Sequence, residues 1–128
     1  MKAAQLVPEE YGSYYQSYIN LVGEQHLLTA LSKSGEKVID FLSAIPEEIM
    51  HKGYAEGKWS IKEIIVHLMD TERVFAYRAL RFARRDITDL PGFEHNDYVH
   101  YSNANSRSKA DLLSEYKAIR HNTLSLYR

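Results

Sequence analysis

The sequence predicts an all-α protein, a helical bundle with three long helices and no sheet. Apolar residues recur at steps of three and four over three long segments, which is the seam of amphipathic helices. No segment alternates apolar with polar residues over a strand length. One helix start is doubly marked. In Trp59-Ser60-Ile61-Lys62-Glu63-Ile64, Ser60 and Glu63 form an S-x-x-E capping box: the hydroxyl accepts from the N–H of Glu63 and the carboxylate accepts from the N–H of Ser60. Trp59 and Ile64 stand where a hydrophobic staple would clamp the entry.

In chain order, residues 1–25 hold Pro8, Gly12, Gly23, Tyr11, Tyr14, Tyr15 and Tyr18 without a long apolar period. They read as a lead-in with room for a short helix, its rings lying against the bundle. Leu28, Leu31, Gly35, Val38, Leu42 and Ile45 then define a helix near 26–45, ended by Pro46, which cannot continue it. Glu47 and Glu48 suit a short first turn after the proline, and Gly53 with Gly57 mark the link onward. The capped helix runs near 60–85. Its predicted stripe is Ile61, Ile64, Ile65, Leu68, Phe75, Ala76, Ala79, Phe82 and Ala83. Residues 86–106, with Pro91-Gly92 and three asparagines, read as a long crossing loop of the kind that borders a site. Ser108 and Asp111 open a third helix near 108–128, with Leu112, Leu113, Tyr116, Ile119, Thr123, Leu124 and Tyr127 on its apolar face. That period still runs at Arg128, with no stop signal. Without repeats or a low-complexity tract, residues 1–128 read as a single domain.

Sixteen basic and seventeen acidic residues leave a net charge of −1, and no run of like charge is long enough to hold a polyanion. Nucleic acid and anionic membranes are therefore not expected partners. Cysteine is absent, which excludes disulfides and thiolate ligands. Neither a G-x-S-x-G element nor a P-loop nor a dinucleotide fingerprint occurs, so the catalytic residues of those chemistries are missing. The N-terminus lacks the apolar run of a signal peptide and no stretch approaches membrane-spanning length, so a soluble cytoplasmic protein is expected.

His67 is the candidate site residue. At about 100° per residue it lies about 120° from the centre of the predicted stripe, on an edge shared with Thr71, Val74 and Arg78. An edge imidazole suits a metal ligand at a cleft opening; it equally suits a partly buried histidine hydrogen-bonded to a neighbour. His26, His51, His95, His100 and His121 form no i,i+4 pair. Glu94, His95, Asp97 and His100 share the predicted loop, either as a surface site or as solvated polar groups. His121 is expected to be exposed or at an interface. Asp70 and Glu72 are set aside on spacing as orienters of His67. Glu72 falls near the middle of the stripe and needs a partner, for which Arg120 on the third helix is the candidate. The ten tyrosines read as packing residues with their hydroxyls at the surface.

Trp59-Ser60, the H-L-x-D-x-E run from His67 to Glu72, the Arg-rich stretch Tyr77 to Arg85, Leu90-Pro91-Gly92-Phe93 and the segment Leu112 to Arg120 occur in an order and spacing that resembles the DinB-like (YfiT-like) family of four-helix bundles. The resemblance implies a metal-dependent hydrolase or thiol-linked transferase of unknown substrate, a divalent cofactor (zinc or nickel), and a homodimer. It also implies that His67 is the first of three metal-binding histidines. The metal would polarise the electrophile or lower the pKa of bound water or thiol. Family members continue into a fourth helix with two histidines four residues apart, whereas no H-x-x-x-H occurs here. Either the chain is C-terminally incomplete or the molecule lacks the site, and these 128 residues are expected to hold no metal tightly. Three helices of four should leave a groove lined by Leu31, Val38, Leu68, Phe75, Leu112 and Ile119, to be filled by a missing segment or a partner subunit. The rival reading is a metal-free helical module that acts by homodimerisation or protein association.

Overall fold

The computed structural model describes residues 1–128 and contains five α-helices: α1 (Gln16–Val22), α2 (Leu27–Ala44), α3 (Ile61–Ala83), α4 (His95–Tyr101) and α5 (Lys109–Leu126). Two isolated bridges, Lys2 with His26 and Gly53 with Ser60, are the only β-pairings, and no strand forms. No helix is long and apolar enough to cross a membrane. The three long helices fall where the apolar period places them.

Their starts follow from their caps. Ser60 Oγ accepts from Glu63 N at 3.1 Å while Glu63 Oε2 accepts from Ser60 N at 2.6 Å, so two otherwise orphaned donors are satisfied. Ser108 Oγ accepts from Asp111 N at 3.1 Å. The Gly53–Ser60 bridge needs glycine, because a Cβ on Gly53 would sit 2.5 Å from the carbonyl oxygen of Lys58.

Helix α5 packs against both α2 and α3, and α4 lies on α3. The core joins Leu42 of α2, Met50 of the following turn, Ile65, Val66 and Met69 of α3, and Leu112, Leu113 and Tyr116 of α5. Met50, Ile65, Met69 and Leu112 are buried completely, each contributing roughly 1.5–3 kcal/mol of gross hydrophobic stabilisation. At the far end of the bundle the three long helices meet on one arginine. Arg120 Nη2 donates to Glu72 Oε2 at 2.8 Å and Arg120 Nε to Glu72 Oε1 at 2.9 Å, the inter-helix pair that the sequence predicts. Arg120 Nη1 donates to the carbonyl of Leu31 at 2.7 Å and to Ser34 Oγ at 3.0 Å. Gly35 makes room for this crossing, since a Cβ there would lie 3.0 Å from Arg120 Cγ.

The structure corrects four expectations. Residues 86–106 are not all loop: they contain α4 and a 3-10 turn, Ala104–Ser106. Glu94 caps α4 by accepting from Asn96 N at 3.0 Å, and buried Val99 seats it, but a seven-residue helix is too short to show a period. The buried face of α3 is Lys62, Ile65, Val66 and Met69, which keeps Ile65 of the predicted stripe, with Ile61 packed beside the core, but is rotated toward the side on which α5 packs. Ile64, Leu68, Phe75 and Phe82 remain exposed. Of the six residues expected to line an open groove, Leu112 is fully buried and Val38 and Ile119 pack against the core, leaving only Leu68 and Phe75 exposed. Lastly, Tyr14, Tyr15 and Tyr18 stack on one another in solvent instead of on the bundle, with Tyr14 and Tyr15 ring centroids 5.2 Å apart, whereas Tyr116 is buried.

Lysine 62 is a buried cation that the period gives no reason to expect. Its Nζ donates to the carbonyl of Arg107 at 2.5 Å and lies 3.0 Å from Glu47 Oε1, so the charge is paired and hydrogen-bonded.

Candidate functional site: the cleft between α3 and α4

The capping box sets the direction in which α3 leaves Trp59, and so places His67 two turns further along beside the indole. The Trp59 and His67 rings lie 4.9 Å apart. Helix α4 brings a second imidazole, because its first residue is His95, whose ring stands 5.6 Å from that of His67 and 5.8 Å from that of Trp59. His95 Nδ1 lies 3.6 Å from Glu94 Oε1.

His67 is half-buried, and that burial, with the neighbouring His95 adding to it, holds its pKa below the ordinary histidine value; Asp70 pulls the other way. The balance favours neutral imidazole, the form that binds metals. Asp70, one helical turn from His67, acts on it through its charge alone, and no hydrogen bond joins the two side chains. Its carboxylate accepts from Arg73 Nη1 at 3.2 Å. Glu72 belongs to the Arg120 node and is no part of this cleft.

The sequence-predicted residues do not all converge. Glu94 serves as the α4 cap, Asp97 and His100 are exposed, His100 stacks on Tyr101, and His121 is exposed as expected. Further along the α3 edge, the hydroxyl of Thr71 is buried without a hydrogen-bond partner. A separate cleft lies further along α3, between Val74, Arg78 and the Leu90–Phe93 loop. The approach of His95 to His67 had no signal in the sequence, because α4 itself had none.

The profile of the DinB superfamily matches residues 30–128 of this chain. The chain belongs to the DinB superfamily. Neither a curated protein nor a solved structure gives a significant match. Superfamily membership is generally associated with metals. No group of three or more His, Cys, Asp or Glu side chains in this structure could hold a metal ion. His67 and His95 supply two imidazoles, short of the three protein ligands that a catalytic zinc centre uses. These residues do not make a complete centre by themselves.

Proposed function

We propose that this DinB-superfamily protein is a metal-dependent hydrolase or thiol-linked transferase in which His67 is one metal ligand. The observation that carries the reading is the placement of His67. It occupies the histidine of the H-L-x-D-x-E run, half-buried in a cleft whose environment keeps imidazole neutral and so ready to ligate. Trp59 covers the ring and restricts water on one side, and His95 offers a second imidazole beside it. Titration with zinc or nickel tests the reading. Saturable shifts of the His67 and His95 imidazole resonances are expected, those of His95 being lost in His67→Ala; His67 signals unmoved at millimolar metal would contradict it.

A second reading, association as a homodimer, is favoured by a separate observation. Ile64, Leu68, Phe75 and Phe82 recur at steps of four and seven, share one face of α3, and are 37%, 40%, 46% and 74% exposed. Sedimentation of the wild type against Leu68→Asp decides it, a dimer split by the substitution being the supporting outcome.

A further inference from the structure

We propose that the cleft between the middle of α3 and the Leu90–Phe93 loop binds a small organic anion, an apolar or aromatic body carrying one carboxylate or phosphate. The proposal goes beyond the metal reading and does not depend on it: Arg78 stands eleven residues from His67, about 16 Å along the helix axis.

Shape and lining suggest the body of the ligand. The cleft is half open to solvent and offers about 290 Å³, just below the roughly 300–1,000 Å³ typical of small-molecule sites, which suits a compact molecule better than a large cofactor. Val74, Leu90 and Phe93 give it apolar walls, and Phe93 and Tyr98 form a tilted ring pair with centroids 5.2 Å apart.

Charge bookkeeping among the arginines suggests the head group. Three arginines of α3 lie at or beside this cleft, and two are neutralised: Arg73 pairs with Asp70 and Glu115, and Arg81 pairs with Asp86. Arg78 makes no ion pair. One Nη2 proton goes to the carbonyl of Pro91 at 3.2 Å, and the guanidinium carbon sits 5.7 Å from the centroid of the Phe75 ring. The Pro91 bond gives Arg78 a structural role, fastening the loop to α3, but it uses one donor of five. The rest of the fork is held in place, beside an apolar wall, with no carboxylate among the lining residues. A planar fork of this kind recognises carboxylate or phosphate oxygens in pairs.

The experiment uses benzoate as the probe, with benzyl alcohol and inorganic phosphate as controls, followed by NMR of the Phe93 and Tyr98 rings. Benzoate should bind saturably with a millimolar dissociation constant, as a fragment does. Arg78→Gln should weaken benzoate about tenfold while leaving benzyl alcohol unaffected, because only the charge-assisted pair is lost. A thermal melt of Arg78→Gln close to that of the wild type shows that the loop has stayed folded; Arg78→Lys, which keeps the charge without the fork, covers the case in which it has not, and should bind benzoate more weakly than the wild type. Benzoate binding undiminished in both variants, no saturable ring shifts, or inorganic phosphate binding as tightly as benzoate would each overturn the proposal. Failure of His67 to respond to metal leaves these outcomes untouched.

Discussion

Replacing Arg120 by methionine removes the one side chain on which α2, α3 and α5 all converge. In the wild type its guanidinium donates to Glu72, to the carbonyl of Leu31, to Ser34 and to the hydroxyl of Tyr116. The Arg120 and Glu72 side chains are only 16% and 12% exposed, so the small value of surface ion pairs, about 0–1 kcal/mol, does not apply. Methionine fills much of the space of the aliphatic stem, and the dominant loss is electrostatic: the Glu72 carboxylate stays largely buried without its partner, for which about 3–5 kcal/mol is expected. Against a total stability on the order of 5–15 kcal/mol, that is a large fraction. Removing both charges in Glu72→Met with Arg120→Met leaves no uncompensated ion, so the double variant should be more stable than the sum of the single effects predicts, with a coupling of about 2–3 kcal/mol. Urea denaturation of the four proteins, followed by circular dichroism, gives all the terms. An Arg120→Met loss below about 1 kcal/mol, or strict additivity in the cycle, would refute the account of this pair as a buried node.

Two further outcomes follow from the α3 start and its cleft. Ser60→Ala should cost about 1–2 kcal/mol, because the hydroxyl both caps Glu63 N and donates to Asn105 Oδ1 at 2.8 Å; denaturation midpoints equal to the wild type would contradict the cap. The folded pKa of His67 lies below its unfolded value of about 6.5, so the stability it contributes is present above that value and lost as pH falls through the folded pKa. An imidazole titration by NMR should therefore give His67 a midpoint below the usual histidine value, moving upward in His95→Ala; a normal midpoint unaffected by that substitution would be inconsistent with burial beside His95.

The helices were legible in the sequence because their signals are local. Ser60 and Glu63, or Ser108 and Asp111, need only each other, and the period of Leu112, Tyr116 and Ile119 needs only one helix. The Glu72–Arg120 pair was legible for a related reason: a carboxylate within an apolar stripe demands a cation, whatever the details of packing. Helix α4 was not legible. Seven residues hold too little period, and what stabilises them is Val99 seated against the rest of the protein. Which face of α3 is buried was also beyond the sequence, since Ile64 and Leu68 are as apolar as Ile65 and Met69, and only the position of α5 chooses between them. The same holds for the site. The sequence by itself determined that His67 and Arg78 share an edge of one helix, because a single helix carries both; tertiary structure alone decided that His95 would stand beside one and the Leu90–Phe93 loop beside the other, because those neighbours arrive from a segment whose course is set by packing.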